Sequence, residues 1–245
     1  MSSHGQSHGT CALCGHRAAK AAMARHLTVC VPAHDVAEAA PAQLFRLRVE
    51  ASGDPRYWLD VEIKADGRLR ALDRFLRDVW LECCGHMSAF TIRGVRYEIA
   101  VATGDRSFDF LGGPRPRSMN ARLGEVASSE LTFHYEYDFG STTTLRLKVA
   151  SVRDGQIGHR PLRLQARNEP AAWRCAVRSA PATEICSWCT DEIEDTFFCE
   201  EHARAHIAGA HDEDEAGLLP VVNSPRMGVC AYTGPQDDRH EIRLS

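Results

Sequence analysis

The chain has 245 residues, 44% hydrophobic and 25% charged, an ordinary globular balance that excludes wholesale disorder and fibrous structure. A formal net charge of −4 excludes a protein that coats nucleic acid with a whole basic face, so any such contact must be local. The opening MSSHGQSHGT has neither a basic nor an apolar leader region, and no segment approaches the roughly 18 uninterrupted apolar residues of a membrane span, so a soluble, cytoplasmic protein with no membrane partner is expected.

Ten cysteines in such a chain read as metal ligands before disulfides, because the cytosol keeps thiols reduced. Cys11, Cys14 and Cys30 lie near the N-terminus and Cys175, Cys186, Cys189 and Cys199 near the C-terminus, with only Cys83 and Cys84 between them. Charge divides the same way. Residues 1–34 carry Arg17, Lys20 and Arg25 and no acid, residues 171–215 carry three arginines against eleven acids, and residues 35–170 are balanced. The Pro-containing stretches Val31 to Pro41 and Asn168 to Ala172 are expected linkers. Three units follow: 1–34, 42–167 and 172–245.

In the first unit, Cys11-x2-Cys14-x11-His26-x3-Cys30 fits a C2HC-type structural zinc finger. A thiolate knuckle supplies two ligands, and a helix supplies two more at i and i+4 on one face. Met23 and Leu27 can pack beneath the metal. Four ligands leave no place for water and hence no catalytic role, and the finger is expected to fold, and on ligand loss to unfold, by itself. The outward helix positions are Ala18, Ala19, Ala21, Ala22 and Ala24, with Lys20 and Arg25 the cations on the helix. That surface suits a protein contact better than base reading, which one finger does over about three base pairs.

The middle unit opens with LFRLRVE, where Phe45, Leu47 and Val49 alternate with Arg46, Arg48 and Glu50, the period of a half-buried strand. Tyr57 to Ile63 repeats the pattern, with Asp60 and Glu62 on the polar side. From Asp66 to Gly85 the apolar residues Leu69, Leu72, Leu76, Val79 and Trp80 predict an amphipathic helix of about four turns, with Asp66 as N-cap and Gly85 as stop. Short strands are expected at Ala89 to Ile92 and Val95 to Ala100, then an Arg-rich loop from Gly104 to Arg117. LTFHYEYDF predicts a strand with Leu131, Phe133, Tyr135, Tyr137 and Phe139 on one side and Thr132, His134, Glu136 and Asp138 on the other. A last strand is expected from Thr143 to Val152. The order implies an α+β antiparallel sheet with one main helix, flanked by small zinc modules.

The elements FRLRV, WLDVEI, LRALDRFLRDVWLECCGH with SAFTI, and the YEYDFG signature resemble the plasmid pRiA4b Orf-3-like family of plasmid- and transposon-associated proteins, over roughly residues 42–167. The tail LLPVVNSPRMGVCAYTG resembles that of its zinc-containing members. Where the family continues its signature with Asp and then Trp, this chain has Ser141, Thr142 and Thr143. The resemblance implies a compact α+β fold and no established reaction.

The third unit reads Cys175-x10-Cys186-x2-Cys189-x9-Cys199-x2-His202-x3-His206-x4-His211 and resembles the cross-brace of B-box-type zinc modules. That topology implies one complete site from Cys186, Cys189, His206 and His211. A second, from Cys175, Cys199 and His202, has Arg178 where zinc-containing relatives carry a fourth ligand. About two structural Zn2+ ions are therefore expected, with a third held weakly. The acids at Asp191 to Asp195, Glu200, Glu201 and Asp212 to Glu215 would repel phosphate and favour a basic or neutral protein partner.

Two further constellations have bland readings. Cys83-Cys84-Gly85-His86 could be a thiol nucleophile beside a base or a helix end with a small buried Cys84. The polar face Thr132, His134, Glu136 and Asp138 could run acid–base chemistry or be solvated strand surface. The expectation is a non-enzymatic zinc-binding interaction protein. The alternatives are a DNA-binding accessory protein using the basic finger with Arg106, Arg115 and Arg117, and a hydrolase or thiol enzyme in the middle unit.

Overall fold

The computed structural model describes residues 7–99, 115–189, 196–211 and 217–235. Among them the chain runs β1 (His8–Cys11), β2 (Arg17–Ala19), α1 (Lys20–Ala33), β3 (Ala42–Ala51), β4 (Trp58–Lys64), α2 (Leu69–Leu76), β5 (Ser88–Ile92), β6 (Val95–Glu98), β7 (Arg117–Ser118) and α3 (Leu123–Val126). It continues with β8 (Thr132–Tyr137), β9 (Thr143–Gly155), β10 (Leu162–Asn168), β11 (Glu184–Cys186), β12 (Phe197–Phe198), α4 (Glu200–Ala210) and β13 (Leu218–Pro220). Ten strands form one sheet in the order β2-β1-β10-β4-β3-β9-β8-β5-β6-β7, and β12-β11-β13 form a second. Only β6 and β7 pair in parallel among the described strands, so the architecture is the expected α+β antiparallel one. No helix among the described residues is long and apolar enough to cross a membrane.

The alternating apolar residues of β3, β4, β8 and β9 face a core closed by the α2 segment, with Leu47, Val61, Tyr135 and Leu147 fully buried against Leu72, Leu76 and Trp80. This helix departs from the sequence expectation. It starts at Leu69 with Arg68 as its N-cap, not Asp66, and residues Arg77–Leu81 wind as a π-helical turn. The wider turn lets three consecutive residues, Val79, Trp80 and Leu81, all be buried, which a regular 3.6-residue helix presents poorly on one face. Within α2, buried Asp73 accepts hydrogen bonds from Ser88 Oγ at 2.6 Å and Tyr135 Oη at 2.8 Å and pairs with Arg77 at 3.2 Å.

The polar side of β4 is not solvated, contrary to the alternation. Asp60 and Glu62 are each 1% exposed because the N-terminal module lies over them, and each carries its own counter-charge. Arg48 grips Asp60 through two bonds of 3.0 and 2.7 Å, and Arg153 and Arg163 both reach Glu62 at 2.8 Å. Strand β10 is absent from the sequence expectation. A register shift between Leu164 and Ala166 divides it into runs too short for alternation to stand out.

Strand β1 pairs with β10, so the finger continues the main sheet. Its helix buries Met23, Leu27 and Val31 on Trp58 and Ala166 of the middle unit. The approach is close enough that a Cβ on Gly9 would lie 2.5 Å from both the Trp58 ring and the Arg167 carbonyl oxygen.

Candidate metal centres

Strand β1 delivers Cys11, the following turn delivers Cys14, and α1 places His26 and Cys30 one turn apart. The four ligand atoms lie within 4.8 Å of one another. Cys11 Sγ is 3.8 Å from Cys30 Sγ, and Cys14 Sγ is 3.3 Å from His26 Nε2. A tetrahedron with metal–sulfur bonds of about 2.3 Å and metal–nitrogen bonds of about 2.0–2.1 Å has S···S edges of about 3.8 Å and S···N edges of about 3.6 Å. The S···S separation matches that edge and the S···N separation is somewhat shorter than its edge. Burial, followed by the neighbouring thiols of Cys14 and Cys11, pushes the Cys30 thiol up to about 12, so that thiol resists ionising without a cation beside it. The Cys14 thiol, despite some burial, is lowered by the His16 backbone N–H and the Cys30 and Cys11 thiols. His34 lies 3.6 Å from Cys30 Sγ, but its Nδ1 is engaged by the Cys30 carbonyl oxygen at 2.8 Å. Of the finger's cations, Arg17 pairs with Glu169 at 2.5 Å and Lys20 pairs with Glu50.

At the other end, Cys186 closes β11, Cys189 follows in the turn, and α4 presents His202 and His206, with His211 at its C-cap. Cys186, Cys189, His206 and His211 converge. Cys186 Sγ lies 3.4 Å from His211 Nε2, Cys189 Sγ lies 3.3 Å from both imidazole Nε2 atoms, and those two atoms are 3.2 Å apart. The other ligand pair set also meets: His202 Nδ1 is 3.3 Å from both Cys175 Sγ and Cys199 Sγ. Burial raises the Cys175 thiol, but backbone N–H groups of Cys199, Val177 and Arg178 and the His202 ring outweigh it and lower it to about 6. The structure thus brings together all eleven expected ligands, four from the spacing of the N-terminal unit and seven from the B-box resemblance, in three groups.

Arg178 borders the three-residue group, with its guanidinium on the Cys199 thiol and 3.0 Å from Glu201 Oε2. A guanidinium cannot coordinate and opposes a nearby cation. Arg178→Cys is expected to complete the tetrahedron, adding one zinc per chain over the wild type and raising the unfolding temperature. Elemental analysis of both proteins checks this, and an unchanged metal content in a folded variant would count against the cross-brace pairing.

The remaining sequence candidates separate. Thr132 and His134 are exposed, and Glu136 pairs with Arg96 at 3.0 Å. Asp138 leaves their face: at φ +63 it turns inward to the fully buried Arg226, 2.6 Å from Nη2, because a buried guanidinium requires a counter-charge. Phe139, expected inward, is 39% exposed, with the Arg96 guanidinium 4.5 Å over its ring. Cys84 is exposed, not buried, and its thiol is pushed up to about 11, chiefly by a hydrogen bond with the Cys230 thiol, the reverse of an activated nucleophile. Cys230 is the residue that the spacing rules passed over. The signal was its being the tenth cysteine, outside both terminal patterns. Arg106 and the acids at 191–195 and 212–215 lie outside the described residues, and Arg115 and Arg117 are exposed.

A model of the plasmid pRiA4b ORF-3-like protein family matches residues 43–172. Among solved structures, the crystal structure of a protein of unknown function from Methanosarcina mazei Go1 is similar at 19% identity, over 51% of this chain and 70% of that chain, with a TM-score of 0.43. No curated protein matches the chain.

Proposed function

The chain belongs to the plasmid pRiA4b ORF-3-like family, and from that premise we propose that it is a non-enzymatic, zinc-binding adaptor. Its terminal modules use metal to hold shape and present protein-binding surface. Zinc as the ion, a cytoplasmic setting and a plasmid- or transposon-linked role belong to the same proposal. The observation that carries it is where exposed apolar side chains fall. The three most exposed large ones among the described residues are Val29 at 76%, Val177 at 63% and Trp188 at 60%. All three sit on the Cys/His modules, Trp188 between two ligands. A stranded tryptophan on a rigid, metal-braced turn is the kind of side chain that dominates protein interfaces.

The DNA-binding alternative loses support from the finger itself, because Arg17 and Lys20 are already paired with acids. Trp188→Ala is expected to keep the zinc content and fold of the wild type while weakening retention of the host partner by roughly 30-fold or more, a loss of about 2 kcal/mol or above. Quantitative affinity capture from the native host with both proteins tests it. Equal capture by the two, or salt-dependent DNA retention by the wild type, overturns the adaptor reading.

A further inference from the structure

A fourth group of metal-ligating side chains lies away from both terminal modules. Cys83 and Cys84 follow the π-helical turn, Gly85 at φ +72 reverses the chain, and His86 comes back beside them. Cys230 arrives from the C-terminal segment, in the left-handed region at φ +55. The ligand atoms of all four lie within 4.8 Å of one another. Cys84 Sγ is 3.8 Å from Cys230 Sγ, and Cys230 Sγ is 3.5 Å from His86 Nε2. These match the S···S and S···N edges of a tetrahedron around zinc, and the S···S separation equals the one in the finger.

We propose that Cys83, Cys84, His86 and Cys230 form a Cys3His zinc site that fastens the C-terminal segment to the end of the main helix.

Apolar packing does not account for the convergence. Cys84 and Cys230 are exposed, so the usual explanation for a clustered cysteine, a small hydrophobe in a core, fails for half the group. The segment is held independently on either side of Cys230. Ser224 Oγ donates to the Trp80 carbonyl oxygen at 2.6 Å, Arg226 reaches Asp138, and Tyr232 is 1% exposed. The thiol is thereby presented by a fixed backbone, as a preformed ligand set needs. The surroundings suit the charge. Three thiolates, a neutral imidazole and Zn2+ sum to one negative charge, and the cationic Arg226 guanidinium lies close enough to Cys83 to offset it electrostatically. Loading is a plain exchange: each ligating thiol gives its proton to solvent, and no oxidant or reductant is required.

The site is separate from the adaptor reading, and the test distinguishes the two. The full chain, purified with a thiol reductant, is compared by elemental analysis with Cys84→Ser/Cys230→Ser, with Cys14→Ser and Cys186→Ser as references for the terminal modules. The double variant is expected to lose one zinc per chain, and each reference variant one zinc from its own, different site. Both replaced residues lie at the surface, so folding is preserved. In the zinc-loaded wild type, Cys84 and Cys230 should resist iodoacetamide until a chelator removes the metal. An unchanged zinc content in the double variant, free alkylation of both thiols in the loaded protein, or a Cys84–Cys230 disulfide in the protein as isolated under reducing conditions would overturn the site.

Discussion

His26→Ala is expected to release one zinc per chain and to destabilise far more than the finger. The binding free energy of a structural zinc, about 10–16 kcal/mol in isolated fingers, is folding free energy. Here the module is also part of the main sheet. Without the metal, α1 loses its seat on Trp58 and Ala166, β10 loses its neighbour β1, and the carboxylates of Asp60 and Glu62 lose their cover. The sequence reading, in which only the N-terminal unit unfolds, does not survive that packing. Elemental analysis should show the loss, and hydrogen exchange should show faster amides in β4 and β10. An unchanged zinc content, or β4 and β10 protected as in the wild type, would argue against it.

Arg226→Ala is the second large effect. The side chain is 0% exposed. It donates to Asp138 Oδ2 at 2.6 Å, to the Ser141 carbonyl oxygen at 2.9 Å and to Thr143 Oγ1 at 3.1 Å, and its guanidinium lies 4.9 Å from the centre of the Tyr137 ring. Truncation leaves Asp138 buried without its partner, which costs about 3–5 kcal/mol. Asp138→Asn combined with Arg226→Met removes both charges and should cost less than the sum of the single variants, because the residues share one interaction. Urea unfolding of the wild type, Asp138→Asn, Arg226→Met and the double variant measures the coupling. A single-variant cost below about 1 kcal/mol would mean that the C-terminal segment is not anchored there.

The sequence was most legible where one physical rule acted alone. Strands β3, β4 and β8 alternate because one face meets the core, and the N-terminal ligands keep a spacing that tetrahedral coordination and the helical i, i+4 repeat both require. It was least legible where distant segments meet. Asp60 and Glu62 read as solvated because alternation is blind to a module that covers the outer face. Asp138 read as strand surface because its partner Arg226 is 88 residues away. Cys230 had no local pattern at all, as its neighbours Cys83, Cys84 and His86 come from the other side of the chain.

The pairing of β1 with β10 also sets an order of events during synthesis. Gly9 is registered against Asn168, and at translation speeds of 5–20 residues per second the partner strand leaves the ribosome about 8–30 s after the first one. Through that interval β1 has only the short β2 beside it and its other edge is open, and Met23 and Leu27 have no Trp58 seated in a finished sheet to cover them. All four ligands of the finger, by contrast, are present once Cys30 has emerged. A metal ion bound by those four residues would therefore close the nascent finger long before its docking surface exists, holding an aggregation-prone edge in a fixed shape until β10 arrives.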